Sequence, residues 1–472
     1  MKARRRFSFA NLGHPYALVA MATAVALPTA HAAEQARSVN GDVFVVDAQL
    51  ASYLRLFQRA QLPGQAGAIV TNDRLVPIYE TFSLRVGALD SPIGAPNTVD
   101  MELAGWGSYA FGDVNRERAL DGDVSVANVT QRFGAGYLRV GRQITVGGAA
   151  RFAQFDGLSM GLATTSSPVR FGLDAYAGAT VLPRWASRPG YFQLGSSADT
   201  LLRIPSVTAT PNRAGTWQAG TRVHGGYKSV FEGGLSFHEQ RENTFLAARR
   251  VGFDAHLAPL PEASLSAQGT LDVDSSQLAD VRAWIDVAPI DNVAAAIEYL
   301  RTNPGLFLSK QSVLSVFASD PFSEIGADAS YRPTRSFLLG GSAYVERFDT
   351  SGFGSRVHSR VQFTFDNVTL QLALGRVADP RVGYYSSRAS IRWVVAKPFA
   401  ATLDHYYYFY DKQILGVSAS SVEAVTGEWT FSPTARLAAS GSVTQSPYAA
   451  LDTQGLLRFI VDFGTARRGG GS

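Results

Sequence analysis

Long runs of strict two-residue alternation constrain this 472-residue chain more than any other feature. From Val169 to Val181, the apolar residues Val169, Phe171, Leu173, Ala175, Ala177, Ala179 and Val181 alternate with Arg170, Gly172, Asp174, Tyr176, Gly178 and Thr180. Ala263, Leu265, Ala267, Leu271 and Val273 alternate likewise with Ser264, Ser266, Gln268, Thr270, Asp272 and Asp274. Val357, Val361, Phe363 and Phe365 alternate with Arg356, His358, Arg360, Gln362, Thr364 and Asp366. Successive strand residues face opposite sides, so each run predicts a strand with one apolar and one polar face. The runs persist for about 11 to 14 residues, whereas globular strands average roughly 5–6 and a tilted bilayer crossing takes roughly 9–11. They predict an all-β fold, a transmembrane antiparallel up-and-down β-barrel without a plug domain.

The connections sort by length in a way that supports this. With Val43–Phe57 as the first crossing and Pro77–Asp90 as the second, about 22 strands can be placed. Every other connection is then short: Thr165–Pro168, Pro259–Pro261, Asp366–Asn367, Ala396–Pro398 and Ser432–Thr434. The long ones, Pro183–Thr216 and Asn303–Phe322, fall on the opposite side. Short periplasmic turns, long outer loops and periplasmic termini are the pattern of outer-membrane barrels.

The N-terminus reads as an export signal over residues 1–32. Lys2, Arg4, Arg5 and Arg6 precede an apolar stretch from Tyr16 to Leu27, and Ala30-His31-Ala32 supplies a small-x-small cleavage pattern. Arg4-Arg5-Arg6-Phe7 loosely resembles a twin-arginine signal, but that route carries folded proteins and a barrel travels unfolded. Residues 33–472 form the predicted barrel. About ten residues separate the cleavage site from the first strand, too few for a plug.

Removing the signal also changes the charge. The chain has 43 basic and 39 acidic residues; four of the basic ones, and no acid, lie in the signal, which leaves 39 against 39. A nucleic-acid partner is therefore not expected. There is no cysteine, which excludes a disulfide scaffold and a thiolate metal site. No apolar run of roughly 18 residues follows the signal, so no spanning helix is expected. Trp106, Tyr109, Phe111, Trp393 and the run Tyr406-Tyr407-Tyr408-Phe409-Tyr410 suit interfacial girdles. Leu457, Phe459, Val461 and Phe463 alternate to an aromatic end like a C-terminal assembly signal, followed here by the tail Gly464–Ser472.

Motifs for catalysis are weak. Gly157-Leu158-Ser159-Met160-Gly161 matches the hydrolase pattern G-x-S-x-G, but that motif requires a strand turning sharply into a helix, and here the alternation continues. His238-Glu239 lacks the second histidine of a zinc helix. Asp272, Asp274 and Asp280 flank a turn that lacks the glycine and closing glutamate of a calcium loop. No catalytic residue, metal or cofactor is predicted.

The richer stretch is Tyr137-Leu138-Arg139-Val140-Gly141-Arg142-Gln143, followed by Gly147, Arg151 and Phe155-Asp156-Gly157-Leu158. Over Val124–Pro168 it resembles the L-R-x-G-R-Q…G…R…D-G pattern of the alginate-export porin family and, more loosely, barrel porins of polysaccharide secretion systems. That resemblance implies an 18-strand export channel, which brackets the barrel at 18–22 strands. Parity places Arg139 and Gln143 opposite Leu138 and Val140, toward water. Arg142 shares the lipid-facing parity and needs a bulge near Gly141 or a strand end. Arg151 and Asp156 are expected to pair with this group. Arg170, Arg356, Arg360, Arg388 and Arg392 also point inward, with Arg222 and Arg282, against inward acids Asp100, Glu102, Asp174, Asp280 and Asp286. Arginine's planar fork suits carboxylates and hydroxylated sugars. Arg139, Arg142, Gln143, Arg151, Asp156, Arg170, Asp174, Arg356, Arg360, Arg388 and Arg392 are thus the candidate lumen-lining residues, either touching substrate or bracing the wall.

The expected location is the outer membrane of a Gram-negative bacterium. The leading functional expectation is a passive channel exporting a polysaccharide. Its expected partners are outer-membrane lipid, the barrel-assembly machinery and periplasmic polysaccharide-export and chain-length proteins. The alternatives are a diffusion porin for small solutes and a non-conducting scaffold whose lumen is closed by the two long loops.

Overall fold

The computed structural model describes residues 44–60, 72–88, 98–112, 120–164, 168–181, 215–242, 245–307, 320–380, 383–447 and 449–464. The expected export signal, the C-terminal tail after Gly464 and nearly all of Pro183–Thr216 lie outside them. Strands β1 (Phe44–Ala60), β2 (Asn72–Ala88), β3 (Thr98–Gly112), β4 (Leu120–Phe133), β5 (Gly136–Gly147) and β6 (Arg151–Ala163) come first. Next are β7 (Val169–Thr180), β8 (Thr216–Tyr227), β9 (Phe231–Glu242), β10 (Phe245–Leu260), β11 (Ala263–Asp272) and β12 (Gln277–Ile290). Then follow β13 (Val293–Thr302), β14 (Phe322–Thr334), β15 (Phe337–Phe348), β16 (Gly352–Phe365) and β17 (Val368–Ala378). The last are β18 (Tyr384–Ala396), β19 (Phe399–Ile414), β20 (Val417–Ser432), β21 (Ala435–Ser446) and β22 (Ala449–Gly464).

Every strand pairs antiparallel with its sequence neighbour, and β22 pairs with β1 from Asp47↔Gly464 to Ala60↔Leu451. The sheet therefore closes, and apart from one hairpin that leaves the wall, each strand is paired on both sides, which a hydrocarbon environment demands. All 22 crossings are separate strands, so the 18 implied by the family resemblance is corrected upward. Among the described residues there is no α-helix and no plug domain.

Alternation sets the two faces. On β16, Phe353, Val357, Phe363 and Phe365 are exposed on the outside, while Arg356, His358 and Arg360 face the lumen. The tight turns 261–262, 291–292, 335–336, 366–367, 397–398 and 433–434 share the end that bears both termini, and Pro183–Thr216 and Asn303–Phe322 leave from the other. The two longest connections thus fall on one side as expected, although the β2–β3 connection over 89–97 on the other side is not short.

The aromatics need one correction. Tyr109, Phe111 and Trp393 are exposed near strand ends as interfacial residues, but Trp106 points inward and stacks on Tyr79 at 5.3 Å. The tyrosine run on β19 divides by period two: Tyr407 and Phe409 face out, and Tyr406, Tyr408 and Tyr410 face in. A closed barrel with an apolar outer belt and a polar inner wall is an outer-membrane structure.

Candidate functional site

One hairpin does not stay in the wall. β5 pairs with β4 only from Phe133↔Gly136 to Ala127↔Arg142, and β6 pairs with β7 only from Ala163↔Gly172 to Phe155↔Thr180. Beyond those points the two strands pair only with each other, up to Gly147↔Arg151. Residues 143–154 therefore form a two-stranded arm. Limbs of five and four extended residues give it a reach of about 15 Å.

The arm folds into the lumen. Its tip is a 3-10 turn at Gly148–Ala150, where the Ala149 N–H donates to the Ser236 Oγ at 2.8 Å. Ser236 has the lumen parity of β9, opposite the exposed Leu235 and Phe237. Glycine makes the close approach feasible: a Cβ on Gly252 of β10 would come within 2.6 Å of the Ala149 nitrogen. Gly148 has φ +55° and a Cβ there would meet the Ser236 Oγ at 2.5 Å. Past the tip, Arg151 (φ 54°) reaches the inward Asp280 of β12 at 2.5 Å. The Asp280 side chain is 4% exposed.

The root of the arm is equally held. Gln154 donates from Nε2 to the Ser125 carbonyl at 2.9 Å, and its own carbonyl accepts from Val181 N at 2.9 Å and Gln218 Nε2 at 2.6 Å. Beneath it, Ala150, Ala153 and fully buried Phe155 pack with Tyr176, whose ring stacks on Phe155 at 5.1 Å. Tyr176 then crosses Gly220, where a Cβ would lie 2.5 Å from the ring, and its hydroxyl hydrogen-bonds His238 Nδ1 at 2.6 Å.

The sequence motif serves this root. Arg142 forks onto Asp156 at 2.7 and 2.8 Å and donates to the Val124 carbonyl at 2.9 Å, with Asp123 at 3.3 Å. Gly141 takes φ 120°, but the β4–β5 and β5–β6 registers run on without a shift, so Arg142 and Asp156 keep the outward parity of Val140 and Leu158 rather than lining the lumen. Gln143 is 1% exposed; it accepts from the Ser159 hydroxyl and donates to the Gly157 carbonyl at 3.1 Å. It is enclosed rather than lining the lumen, because the arm turns its inward face onto protein. Ser159 is likewise 6% exposed, inside β6. Arg139 faces the lumen and donates to Thr130 Oγ1 at 2.9 Å.

The remaining candidates lie on other parts of the wall. Asp174 accepts from the Tyr137 hydroxyl at 3.1 Å and contacts His224 Nε2 at 3.1 Å; Arg170 donates to the Lys228 carbonyl at 2.9 Å. Arg356 bridges Glu324 and Glu346 and covers the Tyr344 ring at 4.8 Å. Arg388 pairs with Asp404 at 2.8 Å over Tyr406, and Arg392 with Glu428 at 2.9 Å. Arg222 and Arg282 pair with Asp254 and Glu298. Arg360 makes no hydrogen bond or ion pair to any described residue. Sequence parity found these side chains but could not say that Arg222, Arg282, Arg356, Arg388 and Arg392 are each paired with a carboxylate on another strand. The acidic turn also resolves: Asp272 accepts from Ser275 N and Oγ, capping the turn, and Asp280 receives Arg151.

No family model matches the chain, and no curated protein matches it. By shape it is similar to the crystal structure of Pseudomonas aeruginosa OpdK with vanillate, at 9% identity and TM-score 0.43, covering 89% of this chain and 98% of that one. It is similar also to the P pilus usher (PapC) translocation pore, at 7% identity and TM-score 0.46, covering 89% and 99%. A third is Pseudomonas aeruginosa OccK2 (OpdF) in complex with glucuronate, at 9% identity and TM-score 0.40, covering 89% and 98%. At these identities the similarity is one of barrel architecture alone. The chain is an outer-membrane β-barrel with one of its own hairpins folded inward against β9 to β12.

Proposed function

We propose that the protein is a passive diffusion channel for small hydrophilic solutes. The observation that carries this reading is the β5–β6 arm, folded into the lumen and held there by Ala149 on Ser236 and Arg151 on Asp280. A barrel of 22 strands encloses a wide bore, and an internal arm divides it into a passage suited to small molecules. The walls are polar, and their charges are mostly paired, so the passage discriminates weakly by sign, with Arg360 as a local bias toward anions.

The polysaccharide-export reading is less well supported. It drew on an unplugged barrel, an arginine-lined wall and the local motif resemblance; against it stand the arm inside the barrel, held by Gln143 and Arg151, and the pairing of Arg356, Arg388 and Arg392 with acids. Liposome swelling with solutes of increasing size tests the proposal. Rapid swelling with pentoses and small carboxylates and slow swelling with tetrasaccharides is expected. No swelling with any solute would overturn it, and equal rates for all sizes would restore the wide-bore polymer channel.

A further inference from the structure

Ionisable groups on the lipid-facing side of a barrel are costly at mid-depth and tolerated near the interfaces. Most outward ion pairs here obey that rule. Glu239 with Arg241 and Arg249, Arg301 with Asp349, and Arg376 with Asp411 all sit at the loop-side ends of their strands. Arg142–Asp156 is claimed by the root of the arm. Two outward groups remain, both in the middle of the apolar belt.

His405 Nδ1 lies 2.6 Å from Glu423 Oε1, with side chains 44% and 52% exposed. Their neighbours of equal parity are exposed and apolar: Leu403 and Tyr407 on β19, Val425 on β20. Glu80 stands between Ile78 and the exposed Phe82 on β2, bonded by the Ser52 hydroxyl at 2.6 Å. His405, Glu423 and Glu80 lie six, nine and eight residues from the terminus-side ends of their strands, which puts them at similar depth. Between them the outward face of β20–β22 mixes the small or polar residues Ser421, Gly427, Ala439, Gly441, Thr453 and Gly455 with the exposed Val425, Val443 and Leu457. A Cβ on Gly441 would meet nothing within 4 Å, and on Gly427 and Gly455 only Phe399 and Leu56, from 3.6 Å.

We propose that the wall running from β19 through β22 to β2 is a two-fold interface with a second copy of this chain. A two-fold axis along the membrane normal, passing between β21 and β22, sets β19 of one copy against β2 of the other at equal depth. His405 then meets Glu80 of the second copy, twice over, so each outward acid finds an imidazole partner instead of hydrocarbon. The shape agrees with the charge. Gly441 and Gly455, next to the axis, leave open space where the two walls come together. The interface leaves the lumen and its arm untouched, so it stands or falls independently of the transport reading.

The chain has no cysteine, which makes a single-site cross-linking test clean. Gly441→Cys, in outer membranes treated with a mild oxidant or a short bis-maleimide, should yield a dimer of twice the chain mass. Leu372→Cys, exposed on the outward face of β17, should not. Combining Gly441→Cys with Glu80→Leu, His405→Leu and Glu423→Leu should abolish the cross-link while the protein remains a heat-modifiable barrel. A monomeric Gly441→Cys barrel, a product of unequal mass, equal cross-linking at Leu372→Cys, or undiminished cross-linking in the apolar variant would each overturn the proposal. Loss of the folded barrel in the apolar variant would also count against it, since removing charges from a lipid-facing wall should spare a monomer.

Discussion

Arg151, at the end of a hairpin that starts between β4 and β7, closes on Asp280 of β12 at 2.5 Å. Five strands, β7 to β11, lie between the two along the wall, so the contact is made through the lumen. Asp280 is nearly buried by it, and an aspartate so placed is costly without a cation. Arg151→Ala should therefore release the tip and destabilise the barrel by about 1–3 kcal/mol, the penalty for a buried acceptor left alone. Thermal melting by heat-modifiability checks the stability, and channel noise checks the release. A variant as stable and as quiet as the parent would show that the pair does not hold the arm.

The docking of the tip on β10 depends on a missing side chain. Gly252→Val would drive its Cβ toward the Ala149 nitrogen and the Ser236 Oγ, 2.6 and 2.8 Å away, and the tip must move. Overpacking of this kind costs about 1–3 kcal/mol. Limited proteolysis should then cut within the arm, which the parent protects. Protection equal to the parent would mean that the tip has room to spare.

The inward arginines separate into two kinds. Arg356 serves Glu324 and Glu346, whose side chains are 4% and 8% exposed, so Arg356→Ser should cost about 3–5 kcal/mol by stranding buried carboxylates. Arg360 has no such partners, so Arg360→Ser should leave stability unchanged and shift the reversal potential toward cations. The opposite assignment, stability lost at Arg360 and selectivity at Arg356, would contradict the paired-wall description.

Depth on the outer face makes a third contrast. Phe363 lies two residues from the turn at 366–367 and packs with Phe337 at 5.1 Å, in the interfacial belt. Val357 stands six residues deeper on the same face and is 52% exposed. Val357→Arg should cost about 2–4 kcal/mol and Phe363→Arg about 0–1 kcal/mol. Equal costs, measured by reversible unfolding into bilayers, would place the membrane elsewhere on the barrel.

Acid should loosen the outer face at one point. The Thr350 hydroxyl donates to Asp320, as do the Thr350 N–H and the Ser351 N–H and hydroxyl, and these bonds hold its carboxyl down at about 2. A depressed carboxylate contributes above its unfolded value, roughly 4, and the contribution disappears as pH falls through about 2. Asp320→Asn should therefore make protease access near the β15–β16 turn, measured at neutral pH, resemble that of the parent below pH 2. Access unchanged by the substitution would remove Asp320 as the anchor.

The wall of this barrel was legible because each strand carries its own record of which side faces lipid. Val357 and Arg356 announce their faces without help from distant residues, and turn lengths fixed the direction of every strand. The arm was not legible for the same reason. Its strands keep pairing with each other, so Val140, Arg142 and Asp156 follow the ordinary rhythm, and the connection is as short as any wall hairpin. What distinguishes it is the loss of lateral partners beyond Arg142 and Phe155, a relation between strands that no single segment encodes. The local signal was Gly147-Gly148-Ala149-Ala150, where alternation fails in favour of small residues that fit against Ser236 and Gly252. The wall pairs were half legible: parity gave the inward arginines, but only closure brought Glu324 and Glu346 onto Arg356.

The central claim is that an internal arm sets the bore of an otherwise wide channel, and single-channel conductance tests it most directly. The comparison is between the parent and a variant in which residues 144–153 are replaced by two glycines, both confirmed as folded barrels. The arm occupies a chord of the lumen, so its removal should raise the conductance step about twofold or more. Steps of equal size in the two proteins, or no conductance in either, would contradict the account.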